Sequence, residues 1–228
     1  RFLDESGYRI IFATNNSSRT DDMVAGKIAR VAGYQAATEQ VVTSARAAAS
    51  MVKGTRERVF VVGGDGLATA FREAGHEVVS AGSMASVVAV GFDPELSYER
   101  LKEATKALYA GARFIASNLD ATFPAAGNDL WPGAGSMVAA LEAASGRKAE
   151  PAGKPYEPMR RLITDRLTEG PVFAIGDRPD TDLALGATAG WTTVLTLSGV
   201  TSAAAAVDVT ADVTVATLAD LPDALSDA

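Results

Sequence analysis

Three carboxylates, Asp177, Asp180 and Asp182, stand within six residues in the stretch Gly176-Asp-Arg-Pro-Asp-Thr-Asp182. They follow Pro171–Ile175, a short apolar run that reads as a buried strand, with Gly176-Asp177 turning the chain at its carboxyl end. Acids packed so closely at a strand tip repel one another unless positive charge sits among them. A hard cation such as Mg²⁺, which takes oxygen ligands from one or two carboxylates and completes its shell with water and substrate phosphate, suits the arrangement. The same acids could instead cap the helix expected over Leu183–Ala189, where negative charge favours the amino end of the dipole. Both readings stand on these residues alone.

Two further stretches carry groups suited to an anion. Thr14-Asn-Asn-Ser-Ser-Arg-Thr20 is a run of seven polar residues between an expected strand, Tyr8–Ala13, and an expected helix, Asp21–Ala32. Met23, Val24, Ile28 and Val31 give that helix its spacing and Gly33 closes it. In an open parallel sheet, ligands collect where a strand's carboxyl end feeds a helix amino terminus, so a Thr hydroxyl and successive backbone N–H groups could hold a phosphate oxygen there. An ordinary polar loop with Thr20 as helix cap accounts for the same residues. In Gly153-Lys-Pro155, the proline is expected to begin a helix, which leaves Lys154 on the loop before it.

Other candidates are weaker. Gly63-Gly-Asp-Gly66 lacks the Lys-Ser/Thr of a phosphate-binding P-loop and the full glycine spacing of a dinucleotide site, and reads as a strand-to-helix turn. His76 has no Ser or Asp in view to orient it and reads as a solvated loop histidine.

Composition narrows the chemistry. The 228 residues, 47% of them hydrophobic, can bury a sizeable core. Net charge is −7 and no basic run is present, which argues against a nucleic-acid partner and requires local positive groups for any anionic substrate. With no cysteine and one histidine, disulfides, thiolate catalysis and His- or Cys-built zinc centres are excluded for this sequence, and oxygen ligands remain. No apolar stretch approaches the roughly 18 residues of a membrane span and no signal-like start is present, so a soluble, cytoplasmic chain without a membrane partner is expected.

The order of elements sets the domains. Tyr8–Ala13, Asp21–Ala32, the returning strands Pro171–Ile175 and Trp191–Leu197, and an expected edge strand Val213–Val215 describe an α/β, doubly wound parallel sheet. Between them the rhythm changes. Helices over Ser44–Val52, Gly66–Ala74, Tyr98–Ala110 and Gly135–Ala144 alternate with strands over Arg58–Val62, His76–Val79, Val87–Gly91 and Arg113–Ala116, enough for an inserted α/β domain. Residues 1–43 and 152–228 are expected to form the core and 44–151 the insert. The alanine-rich tract Ser202–Ala206 is the one low-complexity segment of the sequence.

Thr14-Asn15-Asn16, Gly153-Lys154-Pro155 and Gly176–Asp182 occur in the order of the second, third and fourth motifs of the haloacid dehalogenase superfamily, and the chain resembles its capped para-nitrophenylphosphatase and NagD-like branch over nearly its whole length. Ser117-Asn-Leu-Asp-Ala-Thr-Phe-Pro124 and Pro132-Gly-Ala-Gly-Ser-Met-Val138 resemble that branch's cap segments. The resemblance implies a Rossmann-like core with an inserted cap, and a Mg²⁺-dependent phosphatase acting on a small phosphorylated metabolite through an aspartyl-phosphate. It implies that Thr14, Asn15 and Asn16 bind the phosphoryl oxygens and that Lys154 bridges phosphate and nucleophile. Asp177 would ligate the metal, with Asp182 acting directly or through a water. Asn118, Asp120 and Trp131 are expected at the mouth of the cleft as specificity residues, Trp131 being equally readable as a cap core residue. A homodimer through the cap is a further expectation.

The family's first motif, an apolar strand followed by Asp-x-Asp-Gly, would precede the helix that ends near Gly7. Asp4 lies within that helical end and does not replace it. The nucleophile is therefore expected upstream of residue 1, and the sequence as given is expected to be inactive without it. A non-catalytic phosphate-binding or interaction protein on the same scaffold is the alternative. Phosphoglycolate, glycerol phosphate, sugar phosphates and nucleoside monophosphates all remain open as substrates.

Overall fold

The computed structural model describes residues 2–52, 54, 56–125, 129–202 and 209–226, so most of the alanine-rich tract lies outside the described residues. Along the chain the elements are α1 (Phe2–Glu5), β1 (Phe12–Thr14), α2 (Asp21–Ala32), β2 (Val41–Thr43), α3 (Ser44–Ser50), β3 (Arg58–Val62), α4 (Asp65–Glu73) and β4 (Glu77–Val79). There follow β5 (Val87–Val90), α5 (Tyr98–Tyr109), β6 (Arg113–Ala116), β7 (Thr122–Pro124), β8 (Leu130–Pro132), α6 (Ala134–Ser145) and β9 (Glu150–Pro151). The last are α7 (Glu157–Thr164), β10 (Phe173–Gly176), α8 (Ala184–Ala189), β11 (Thr192–Thr196), β12 (Val213–Val215) and α9 (Leu221–Ser226). By packing they form two units, residues 11–153 and residues 1–10 with 154–228.

In the first unit five parallel strands run in the order β4-β3-β5-β6-β9. Val59–Val62 and Val87–Val90 are continuous buried apolar runs, as parallel strands covered on both faces require. Phe60, Val62, Val88, Val90 and Phe114 pack with Ala104 and Leu108 of α5 and with Val138 and Leu141 of α6. β1 and β2 pair parallel with each other, Phe12 opposite Val41 and Thr14 opposite Thr43, and with no strand of the five-stranded sheet among the described residues. β7 and β8 make a separate antiparallel hairpin that the residue pattern does not announce, because each strand is three residues long and ends in proline.

His76 is buried, not solvated as its loop-like neighbours suggest. At 8% exposure its ring packs against Phe71, Nδ1 accepts the Glu57 backbone N–H at 3.3 Å, and Nε2 lies 3.3 Å from the Val52 carbonyl. The ring ties the end of α3 to the start of β3, a tertiary role that local sequence does not reveal.

In the second unit β10, β11 and β12 are parallel and adjacent in that order, with Val213–Val215 at the edge as expected. Val194, Val215 and Leu221 form its buried centre, flanked by Leu3, Phe173 and Ile175. α1 ends in a Schellman turn: the Tyr8 N–H reaches the Leu3 carbonyl at 2.9 Å, the Gly7 N–H reaches the Asp4 carbonyl at 3.0 Å, and Gly7 takes φ 78°. Pro155 does not open a helix. α7 starts at Glu157, and Pro158 occupies the first-turn position where a missing N–H costs nothing. No helix among the described residues is long and apolar enough to cross a membrane.

Candidate active site

The acidic stretch after β10 is built as a cradle around one carboxylate. Phe173–Gly176 ends at Asp177, and Pro179–Leu183 makes a single π-helical turn that runs into α8. This turn folds Asp182 back under the strand end. Its Oδ2 accepts the backbone N–H groups of Asp177 at 3.2 Å and Arg178 at 3.1 Å, and its Oδ1 takes the Lys154 ammonium at 2.6 Å. Gly176 makes room for it, since a Cβ there would collide with the Asp182 carboxylate. The Lys154 and Asp182 side chains are only 14% and 11% exposed, so the pair is largely withdrawn from water.

Asp177 is held differently. Its Oδ2 accepts the Val200 N–H at 2.6 Å, and a Cβ on Gly199 would strike the same carboxylate. Its Oδ1 has no hydrogen-bond partner among the described residues. Asp180 is turned to solvent, with Arg178 Nε 3.7 Å from its Oδ1. Of the three acids, one is occupied by protein donors, one presents an oxygen, and one is a surface group. Among the described residues no three His, Cys, Asp or Glu side chains converge, so a cation here would rely on few protein ligands.

The polar loop after β1 belongs to the other unit. Thr20 caps α2, its hydroxyl accepting the Met23 N–H at 3.4 Å, and Gly33 closes the helix at φ 64°. The capping account of Thr20 therefore holds, while Thr14 and Asn16 each keep a donor without a partner among the described residues. The Thr14 hydroxyl oxygen accepts the Asn16 N–H at 3.1 Å, which directs its own proton elsewhere. Asn16 Oδ1 accepts the Ser18 N–H and hydroxyl, both at 2.9 Å, and its amide N–H₂ has no hydrogen bond among the described residues. Asn15 is turned the other way, its amide nitrogen 3.1 and 3.2 Å from the two oxygens of Asp120.

Asn118 and Asp120, expected at a cleft mouth, thus stand directly on this loop. Asn118 Nδ2 donates to the Asn15 carbonyl at 2.7 Å, and the Asp120 N–H donates to Asn118 Oδ1 at 3.1 Å. Trp131 lies on β8 at 55% exposure, edge-on to Phe123, and is not a core residue. Sequence reasoning singled out neither Ser17 nor Ser117, whose buried hydroxyls meet at 2.9 Å. Serines in polar loops give no such signal.

Residues 1–77 match the family of haloacid dehalogenase-like hydrolases, and residues 151–221 match a second, HAD-hydrolase-like family. Bovine chronophin (Bos taurus) is 34% identical, covering 99% of this chain and 84% of its own. The chain belongs to the haloacid dehalogenase-like hydrolases. Among solved structures of this family, p-nitrophenyl phosphatase from Archaeoglobus fulgidus superposes with a TM-score of 0.88 at 31% identity, covering 97% of this chain and 88% of that one. Glycerol phosphate phosphatase from Mycobacterium tuberculosis, solved in complex with magnesium, gives 0.83 at 36% identity over 90% of this chain. This chain spans 63% of that protein's length. The hydrolase family matches thus include both the Thr14 loop and the Asp177 loop.

Proposed function

We propose that the chain is a Mg²⁺-dependent phosphomonoester hydrolase acting on a small phosphorylated metabolite through an aspartyl-phosphate. The carrying observation is the convergence at the carboxyl end of β10, where Lys154 meets Asp182 and Asp182 grips the backbone at Asp177 and Arg178. Strand ends of this kind are where α/β sheets bind ligands.

The carboxylates suit Mg²⁺, which needs only one or two protein oxygens. Asp177, with Oδ1 presented, would be the direct ligand. Asp182, filled by an ammonium and two N–H donors, holds the loop and would support the metal indirectly. When bound, the ion would neutralise phosphoryl charge. Lys154 supplies a compact positive charge to the phosphate and the attacking carboxylate, a task for an ammonium more than for a planar guanidinium. The Thr14 hydroxyl and the Asn16 amide donate to phosphoryl oxygens. In the covalent step an aspartate oxygen bonds to phosphorus as the bond to the leaving-group oxygen breaks, and water then releases phosphate. The resemblance to the family implies that the attacking aspartate is the one its first motif carries, which leaves Asp177 and Asp182 to the metal and the loop. Residues 1–43 and 152–228 are read as the core and 44–151 as the inserted cap, and Trp131, 55% exposed, is the candidate there for substrate specificity.

The test is release of inorganic phosphate by the full-length natural protein from p-nitrophenyl phosphate, glycerol phosphate, phosphoglycolate, sugar phosphates and nucleoside monophosphates. Each substrate is assayed with Mg²⁺ and with excess chelator. Chelator-sensitive release from at least one small phosphomonoester is expected. Release unaffected by chelator removes the metal, and no release from any substrate removes the hydrolase.

A further inference from the structure

The loop proposed to bind phosphate is fastened to the start of α3 and to the segments that follow β3, β5, β6 and β9. The Asn15 carbonyl accepts the Ser44 hydroxyl and the Asn118 amide, both at 2.7 Å, while the Asn15 amide faces both oxygens of Asp120. Ser17, 1% exposed, meets Ser117 one residue past β6, and a Cβ on Gly91 would run into the Ser17 hydroxyl. The Ser18 carbonyl accepts the Gly66 N–H at 3.1 Å. Space for Asn15 is cut to fit, since a Cβ on Gly153 would lie 2.5 Å from its Oδ1. Both Asp120 oxygens lie within 3.2 Å of the Asn15 amide nitrogen, so that carboxylate sets the direction in which the Asn15 side chain points. Its neighbours Thr14 and Asn16 keep donors to offer.

We propose that Asp120 and Asn118 are positioning residues for phosphate binding, acting through Asn15, and that Asn15 itself fastens the loop without touching the substrate through its side chain. Asp120, 105 residues away in sequence, fixes the side chain. Asn118 fixes the carbonyl between Thr14 and Asn16, and so the angle at which those two present their donors. The assignment rests on the phosphatase reading only in naming phosphate as the ligand.

An exchange of the two partners tests it. Asn15→Asp sets two carboxylates against each other and should lower kcat/KM for the preferred phosphomonoester about thirtyfold, with a matching weakening of inorganic phosphate binding measured calorimetrically. Asn15→Asp combined with Asp120→Asn rebuilds the amide–carboxylate pair in reverse, and should return both quantities to within about fivefold of the natural protein. A direct phosphate ligand at position 15 could not be rescued in this way, because an aspartate there would repel the anion whatever stands at 120. A double variant no better than Asn15→Asp overturns the proposal. If Asn15→Asp fails to fold, recovery of folding and phosphate binding in the double variant supports it, and folding without phosphate binding overturns it. Natural protein that neither hydrolyses a phosphomonoester nor binds phosphate overturns the phosphatase reading and this one together. Activity in the natural protein with no rescue overturns this one alone.

Discussion

Replacing Lys154 by alanine separates what the ammonium does for the fold from what it does for chemistry. In the folded chain it sits 2.6 Å from Asp182 with both side chains nearly withdrawn from water. Removing one member of such a pair strands the other, which typically costs 3–5 kcal/mol. Asp182 keeps two backbone N–H donors, so the lower end applies, about 3 kcal/mol. For a chain of this length that lowers the melting temperature by about 6–12 °C. In the proposed phosphatase reading the same change also removes a charge offered to the phosphoryl group, and the rate should fall at least about a hundredfold. Lys154→Ala with Asp182→Asn discriminates the two effects. The substituted amide would be neutral and could still accept from the backbone, so thermal stability should recover by about half or more while turnover stays lost. Calorimetric melting and phosphate release on the three proteins give the answer. An unchanged melting temperature in Lys154→Ala would show that the pair is not formed, and near-normal turnover would remove Lys154 from the site.

Lys154→Arg should stay folded yet lose most of its rate in the phosphate-release assay, because the planar fork cannot replace a point donor. Gly176→Ala should push Asp182 out of its cradle and raise the Mg²⁺ concentration for half-maximal activity about tenfold, read from a metal titration. His76→Phe should keep the packing against Phe71 but leave the Glu57 N–H without its acceptor, costing about 1–3 kcal/mol in chemical denaturation with little change in kcat. Arg113 hydrogen-bonds Glu150 and holds its carboxyl below the ordinary range. A depressed folded-state pKa gives stability that is present above the unfolded value and lost as pH falls through the folded one. With both side chains more than a third exposed, that share should be well under about 1 kcal/mol, and Glu150→Gln should flatten the acid limb of the stability curve by no more than this.

What could be read from residues alone was what is local. α2 runs from Asp21 to Ala32 between a threonine cap and a left-handed glycine, both visible in the sequence, and β3 and β6, each an arginine followed by an apolar run, fall where the sequence places them. The acids after β10 announced a site because charge at an apolar strand tip needs a reason. The sequence could not tell which acid would be filled by protein and which would present an oxygen. That division depends on Lys154, 28 residues earlier, and on a π-helical turn that no residue type encodes. Asn15 and Asp120 were each chosen, for separate reasons, without any sign that they touch. The hairpin of β7 and β8 was missed because a pair of three-residue strands carries too little alternation to be seen.

Gly64, Gly66 and Gly91 each leave space that residues of the Thr14–Thr20 loop fill: Ser18 against Gly64, the Arg19 backbone against Gly66, and the Ser17 hydroxyl against Gly91. In a saturation screen scored by turnover Gly66 and Gly91 should behave like substrate contacts, intolerant even of alanine, with Gly64 the more tolerant of the three, although none offers a functional group. The Gly63–Gly66 segment, which has the look of a phosphate loop and lacks its chemistry, would then owe its mutational profile to the loop seated on it. A map of sensitive positions alone would draw the active site too large on this side, and only the side-chain chemistry at each position would restore its true edge.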